Sequence, residues 1–132
     1  MKIAIFENQY YQVQRQFNVA NRIFYNDRLE YSQFNSSNEF GSIHQILDYD
    51  LVIIDISLST NSDLDGFDLI EEILKIEDHP KILILTANSK IEENIEERGL
   101  PKIPILMKPV DFKDIYNKIE EIKITPKEQN TL

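Results

Sequence analysis

Apolar residues fall along the chain in two patterns that alternate regularly. Continuous apolar runs occupy positions 3–6, 51–54 and 82–85, and a further run spans 103–107. Runs of this kind are typical of strands that are covered on both faces of a sheet. Residues 29–34 instead alternate between apolar and polar, which predicts a strand at the edge of the sheet with one face in water.

Between these runs, apolar residues recur at the spacing of an amphipathic helix. The pattern predicts five helices, whose apolar positions are Tyr10, Val13, Phe17, Ala20 and Phe24; Phe40, Ile43, Ile46 and Leu47; Phe67, Ile70, Ile73 and Leu74; Ile91 and Ile95; and Phe112, Ile115, Tyr116, Ile119 and Ile122. Gly99 follows the fourth helix and is expected to mark its end.

Strands and helices thus alternate in sequence, which is typical of βαβ units and a parallel sheet. Because crossovers between parallel strands are right-handed, the helices must cover both faces. The most apolar runs belong in the centre and the alternating run at an edge, which matches the strand order 2-1-3-4-5. We therefore predict an α/β fold of the doubly wound, flavodoxin-like (βα)5 class, with a site at the carboxyl ends of the strands.

Composition is that of one ordinary globular domain with an acidic surface. The chain has 132 residues and a formal net charge of −9. That charge repels phosphate backbones and anionic lipids, so direct binding to nucleic acid or to a membrane is not expected. The lack of cysteine excludes disulfides and thiolate metal sites. The sequence shows no signal peptide or membrane-spanning run, and a cytoplasmic location is expected.

Polar residues follow four of the predicted strands at the point where each strand ends. These are Glu7–Asn8 after the first strand, Asp55 after the third, Thr86 after the fourth and Lys108–Pro109 after the fifth. The carboxyl ends of parallel strands meet at one edge of a sheet, so two acids, a hydroxyl and a lysine should converge there. Neither helix propensity nor solubility requires that set, and it predicts a functional site.

The loop after Asp55 offers a competing metal site. Asn61, Asp63, Asp65, Gly66 and Glu72 fall at positions 1, 3, 5, 6 and 12 of the calcium-loop template. The template is met imperfectly, because its first position is Asn rather than Asp and a strand rather than a helix precedes it. Asp65 before Gly66 also fits the start of an amphipathic helix, where an acid is favourable. Flavin binding rests on fold analogy alone and is less favoured.

With these motifs in place, the sequence resembles the receiver domain of two-component response regulators. The resemblance covers residues 1–122 and leaves 123–132 as a C-terminal tail, which is expected to be flexible. It is carried by IAIFEN at the first strand, YDLVIID at the third, DGFDLIEEI in the third helix, ILILTA at the fourth strand and PILMKP at the fifth. Each motif is weak alone, and the combination is specific.

The resemblance implies a role for each residue at the strand ends. Asp55 corresponds to the phosphoacceptor, Thr86 to the switch hydroxyl and Lys108 to the active-site lysine, with a cis bond between Lys108 and Pro109. A Mg²⁺ ion, expected to bind weakly, would be held by Glu7, Asn8, Asp55 and Ser57. The implied partners are a histidine kinase or phosphotransfer protein that supplies the phosphoryl group and an unknown downstream protein. No enzymatic turnover is implied.

Two departures from the family pattern keep a second function open. Asn8 stands where the family has an acid, which removes one negative charge from the metal site. Ile105 stands where an aromatic residue often moves together with the switch hydroxyl. The alternative is a pseudo-receiver, which keeps the fold, ignores phosphate and acts as a protein-interaction module.

Overall fold

A computed structural model describes residues 1–36, 39, 42–56, 65–76 and 81–130, with side chains to Lys123. Its strands are β1 (Lys2–Phe6), β2 (Glu30–Phe34), β3 (Leu51–Asp55), β4 (Ile82–Thr86) and β5 (Ile105–Met107). Its α-helices are α1 (Gln14–Tyr25), α2 (Gly66–Ile76), α3 (Ile91–Glu97) and α4 (Phe112–Asn130), and 3₁₀ turns span Tyr10–Gln12 and Ile43–Asp48. None of the helices in these ranges is long and apolar enough to span a membrane.

The five strands form one parallel sheet in the order β2-β1-β3-β4-β5, which confirms the predicted fold class. All five residues of β3 and of β4 are buried, as the uninterrupted apolar runs require. The alternating strand β2 lies at the edge as predicted and is only partly buried. This order places the carboxyl ends of β1 and β3 side by side, where the strand order reverses.

Alternate residues of each strand pack on opposite faces of the sheet and make two separate cores. We call these the α1–α4 face and the α2–α3 face after the helices that cover them. The core of the α1–α4 face contains Ile3, Ile5, Val13, Phe17, Ala20, Leu29, Leu51, Ile53, Leu83, Leu85, Leu106, Ile115, Ile119 and Ile122. The core of the α2–α3 face contains Ala4, Phe6, Ile46, Val52, Ile54, Phe67, Leu69, Ile70, Ile73, Ile82, Ile84, Ile91, Ile95 and Ile103.

The second predicted helix is a 3₁₀ turn and not an α-helix. Ser42 caps it by accepting a hydrogen bond from His44 N at 3.3 Å. Three residues per turn place Ile43 and Ile46 on the same side, so Ile46 is buried and Ile43 packs beside it. Leu47, which an α-helix would also have turned inward, is exposed. Phe40, the first predicted apolar position, lies outside the described residues.

Two other helices differ from their predicted limits. The first begins with the 3₁₀ turn Tyr10–Gln12 and becomes α-helical only at Gln14. The last continues to Asn130, past the predicted domain boundary at 122, which stays a prediction. The fourth ends as expected, because Gly99 has φ +69° and adopts the left-handed conformation that closes a helix.

Candidate functional site

Two carboxylates lie buried side by side where β1 and β3 end. Phe6 pairs with Ile54 in the sheet, so the residues that follow them, Glu7 and Asp55, emerge next to each other. Glu7 is 0% exposed and Asp55 is 4% exposed. Such burial of two acids is costly unless a cation or hydrogen bonds compensate, so the pair requires a partner.

Lys108 supplies that partner, because its ammonium group contacts both acids. Its Nζ lies 2.6 Å from Glu7 Oε2 and 3.2 Å from Asp55 Oδ2. The lysine follows β5, so its long side chain reaches back across the end of β4 to the centre of the sheet. The bond between Lys108 and Pro109 is cis, as predicted.

The pKa values of the cluster follow from burial and from these contacts. Burial raises the pKa of Glu7 above its ordinary value, the hydrogen bonds from Lys108 and Gln9 N–H offset part of that rise, and nearby Asp55 adds to it. Burial acts to lower the pKa of Lys108, but its contacts with Glu7 and Asp55 outweigh burial and raise it. The ammonium is therefore held in its charged form between two carboxyl groups.

Thr86 ends β4 on the other side of the sheet from the acids. By strand alternation Thr86 belongs with Ile82 and Ile84 on the α2–α3 face, whereas Asp55 belongs with Leu51 and Ile53 on the α1–α4 face. The Thr86 side chain is buried, and its hydroxyl accepts a hydrogen bond from Asn88 N at 3.0 Å. That bond uses the hydroxyl as an acceptor and leaves its proton available for donation.

The backbone of Lys108 is tied to the same strand. Lys108 N donates to Thr86 O at 2.8 Å. Thr86 is paired with Met107 across β4 and β5. The backbone of the sheet therefore fixes the lysine relative to the threonine. The structure brings the side chains of Glu7, Asp55 and Lys108 into contact and places Thr86 next to them on β4.

Three residues around this cluster were not identified from sequence. Gln9 N donates to Glu7 Oε1 at 2.9 Å, and Gln33 Nε2 donates to Glu7 O at 2.9 Å. Both hydrogen bonds orient Glu7, and no pattern in the sequence predicts them. Gly66 is the third, since a Cβ there would lie 2.5 Å from Asp55 O and 2.5 Å from Ile56 Cα. The start of α2 can approach the end of β3 only because residue 66 has no side chain.

The other residues singled out in the sequence are Asn8, Ser57 and Ile105. Asn8 is exposed beside the buried Glu7. Ser57, the fourth predicted metal ligand, lies outside the described residues. Ile105 is partly buried and packs against the core of the α2–α3 face. The predicted roles of Asn8 and Ser57, like those of Glu7, Asp55, Thr86 and Lys108, stay predictions.

The calcium-loop alternative gains no support from the part of the loop that is described. Asn61 and Asp63 lie outside the described residues. Asp65 Oδ1 accepts a hydrogen bond from Asp68 N at 2.8 Å, which is the N-cap geometry expected from the sequence. Glu72 forms an ion pair with Lys75 at 3.0 Å on the surface of α2.

The donor atoms of the buried cluster suit a small divalent cation. Mg²⁺ prefers oxygen ligands and is commonly bound by one or two carboxylates with water completing its shell. Glu7 and Asp55 supply two such groups, and apart from the contact with Lys108, Glu7 Oε2 has no hydrogen-bond partner within the described ranges. Those same ranges hold no group of three or more His, Cys, Asp or Glu side chains arranged for a metal. The residues present therefore fit an ion with few protein ligands.

Comparison with known structures finds the same fold in several proteins. A CheY-like response regulator receiver domain protein from Methanospirillum hungatei JF-1 is 22% identical over 96% of this chain and 97% of its own, with a TM-score of 0.70. A two-component response regulator from Clostridium difficile is 22% identical over 95% and 97%, with a TM-score of 0.71. The receiver domain of NtrX from Brucella abortus is 21% identical over 93% and 98%, with a TM-score of 0.70.

Sequence comparison identifies the family. No curated protein matches the chain. The family model described as the response regulator receiver domain matches residues 13–120, a range that includes Asp55, Thr86 and Lys108 and begins after Glu7. The match spans most of the chain and agrees with the strand order and with the structural neighbours. The chain belongs to the response regulator receiver domain family.

Proposed function

We propose that this receiver domain accepts a phosphoryl group on Asp55 and thereby switches a protein-binding surface. The observation that carries the proposal is the double contact of Lys108 with Glu7 and Asp55 at the carboxyl end of the sheet, with Thr86 on the neighbouring strand. A lysine whose positive charge lies between two buried acids can also stabilise the negative charge of an incoming phosphoryl group.

Asp55 acts as the nucleophile in this reaction. One of its carboxylate oxygens attacks the phosphorus of the donor, and a new O–P bond forms as the bond from phosphorus to the leaving group breaks. The bonding electron pair departs with the leaving group, which is the imidazole nitrogen of a phosphohistidine or the oxygen of a small phosphodonor. Attack by a carboxylate oxygen transfers no proton, so no general base is needed. The product is an acyl phosphate.

A bound Mg²⁺ ion would offset the repulsion between the carboxylate and the phosphoryl oxygens. Glu7 and Asp55 are the residues that would hold it, with Asn8 and Ser57 as the further predicted ligands. The buried backbone around Glu7 keeps its carboxylate in place, since Gln9 N and Gln33 Nε2 are bonded to the same residue. With only two acids in the set, binding is expected to be weak.

Lys108 and Thr86 complete the site after transfer. Lys108 can shift its hydrogen bonds from the two carboxylates to a phosphoryl oxygen, where its charge is again compensated. The Thr86 hydroxyl can donate its proton to another phosphoryl oxygen while it still accepts from Asn88 N. That new bond draws the end of β4 toward Asp55 and biases the α2–α3 face.

The proposed partners follow from this chemistry. A histidine kinase or phosphotransfer protein supplies the phosphoryl group, and a downstream protein senses the altered face. The domain undergoes one transfer for each signal and is not a turnover enzyme. A pseudo-receiver that ignores phosphate is the second candidate. Two departures from the family pattern favour it, because Asn8 brings no negative charge to the metal site and Ile105, packed against the α2–α3 core, stands in place of an aromatic residue.

Mass spectrometry of the intact protein distinguishes these two functions. After incubation with acetyl phosphate and Mg²⁺, the wild-type chain should gain the mass of one phosphoryl group, and the Asp55→Asn variant should gain none. Asp50→Asn is the matched control, because Asp50 lies at the opposite end of β3, where it accepts a hydrogen bond from Lys2 N. That variant should be labelled like the wild type.

Two results would overturn the assignment. Labelling that persists in Asp55→Asn would place the phosphoryl group elsewhere. A wild-type chain that gains no mass from acetyl phosphate and forms no adduct with beryllofluoride would favour the pseudo-receiver.

A further inference from the structure

The first amide of α4 is bonded to a side chain from a different helix. Phe112 N donates to Gln16 Oε1 on α1 at 2.9 Å. The first amides of an α-helix have no acceptor within the helix, so a side chain or water must provide one. Asp111 accepts from Lys113 N at 3.1 Å and so satisfies a different amide of that turn.

This hydrogen bond joins the two chain segments that leave the site. On one side, Glu7 leads through the 3₁₀ turn Tyr10–Gln12 into α1. On the other side, residues 108–111 connect β5 to α4. That connection is anchored at its start by Lys108 N on Thr86 O at 2.8 Å and at its end by Phe112 N on Gln16.

We infer that Gln16 is a positioning residue that keeps Lys108 in register with Glu7, an inference that rests on the proposed function. The contact of 2.6 Å between Lys108 Nζ and Glu7 Oε2 requires the segments after both residues to keep a fixed separation. Apolar packing between these segments is not directional, whereas the Gln16 bond fixes both distance and direction. The hydrogen bond of the Gln16 side chain goes to Phe112 N and not to Glu7 or Asp55.

The chemistry of the bond supplies a rescue variant. Gln16 uses only its carbonyl oxygen here, so a glutamate can replace it as acceptor, and its negative charge suits the start of a helix. Methionine has nearly the same length and shape but cannot accept a strong hydrogen bond. Gln14 lies on the same helix and is exposed, so Gln14→Met is the matched control.

The test measures the rate of phosphoryl uptake from acetyl phosphate with Mg²⁺ at several donor concentrations. Gln16→Met should lower the maximal rate about fivefold to tenfold, the loss expected for one hydrogen bond that holds a reacting group in place. The donor concentration at half-maximal rate should stay the same, since Gln16 does not bind the donor. Gln16→Glu and Gln14→Met should match the wild type.

Exchange of the Phe112 amide hydrogen gives a second measurement, which does not depend on phosphorylation of the variant. The Phe112 amide should be protected in the wild type and in Gln16→Glu and should exchange fast in Gln16→Met. An unprotected Phe112 amide in the wild type would overturn the inference, as would a folded Gln16→Met chain that reacts at the wild-type rate. A wild-type chain that accepts no phosphoryl group would instead contradict the proposed function.

Discussion

The two faces of the sheet are held to their helices in different ways. On the α1–α4 face, directed contacts join α1 to α4 along their length. The Tyr25 hydroxyl donates to Glu120 Oε2 at 2.7 Å, and the rings of Phe24 and Tyr116 stack with their centroids 4.1 Å apart. With the Gln16 bond at the other end, these contacts fix both the separation and the alignment of the two helices.

On the α2–α3 face, the polar contacts between α2 and the end of α3 in the described part of the chain are those of Arg98, which is exposed. The Arg98 guanidinium lies 4.4 Å from the centroid of the Phe67 ring. It also lies 3.5 Å from Glu71 Oε1 and 3.9 Å from Asp68 Oδ1. Each of these three charged side chains is more than a third exposed, so water and salt screen the pairs.

The difference separates the fixed part of the site from the part that can shift. By strand alternation, Glu7, Asp55 and Lys108 belong to the α1–α4 face, where hydrogen bonds and stacked rings join the two helices. Thr86 follows the alternation of the α2–α3 face, where the ion pairs of Arg98 with α2 are exposed to solvent. A movement of Thr86 should therefore displace α3 more readily than it displaces α4.

The largest change in stability is expected at Gly66, where α2 of the α2–α3 face packs against the end of β3. In Gly66→Ala the new Cβ would lie 2.5 Å from two backbone atoms at the end of β3, which cannot rotate away. Because α2 or β3 must shift, we expect a loss of about 3 kcal/mol in the free energy of unfolding. Urea denaturation followed by circular dichroism measures it.

Gly99→Ala is the matched control on the same face. A Cβ at Gly99 meets nothing within 4 Å, but φ is +69°, so only the left-handed conformation carries a cost, of about 1 kcal/mol. A Gly66→Ala variant no less stable than Gly99→Ala would show that α2 shifts freely. The face would then be looser than the comparison states.

The sequence could predict most of the fold because periodicity reports burial. Uninterrupted apolar runs identified the central strands, and alternation identified β2 as the edge. The same signal failed at Ile43–Asp48, because apolar positions 43 and 46 fit both an α-helix and a 3₁₀ turn, and the apolar Leu47 favoured the α-helix although it is exposed. Only tertiary packing decided between them.

The sequence could predict which residues meet at the site, but not the contacts between their side chains. Because four strand ends meet at one edge of the sheet, the sequence predicts that Glu7, Asp55, Thr86 and Lys108 lie near one another. That Lys108 contacts both acids depends on side-chain reach across β4. The bond from Phe112 N to Gln16 links positions 96 residues apart, and no local pattern encodes such a pair.

A smaller effect should come from Tyr25→Phe, which removes the hydroxyl bonded to Glu120. The loss should be about 1 kcal/mol at neutral pH, the usual worth of one hydrogen bond with a partly exposed partner. Burial acts to raise the pKa of Glu120, but the bonds from Tyr25 and Lys123 outweigh it and hold that pKa below 4.5. Burial and the bond to Glu120 raise the pKa of the Tyr25 phenol above 10.0.

These directions fix how the Tyr25→Phe loss depends on pH. The Glu120 contribution is fully present above pH 4.5 and is lost as pH falls through the lower pKa of the folded state. Wild type and variant should therefore converge in acid, as measured by urea denaturation from neutral pH downward. Tyr11→Phe, in the exposed 3₁₀ turn before α1, is the control and should show no such convergence. A pH-independent difference for Tyr25→Phe would mean that the ionised Glu120 is not the partner through which the Tyr25 hydroxyl stabilises the protein.

The smallest effect should come from Arg98, the polar tie of the α2–α3 face. Arg98→Ala should cost about 0.5–1 kcal/mol, since it removes exposed ion pairs and one cation–π contact. Arg98→Lys keeps the charge but loses the planar group over Phe67, so it should recover only part of the loss. High salt should shrink the Arg98→Ala difference by screening Asp68 and Glu71. Lys75→Ala, which breaks an exposed pair within α2, is the control and should cost about 0.3 kcal/mol.

If Arg98→Ala instead cost more than Tyr25→Phe and kept that cost at high salt, α2 and α3 would be joined as firmly as α1 and α4. The proposal that Thr86 displaces α3 more readily than α4 would then be wrong.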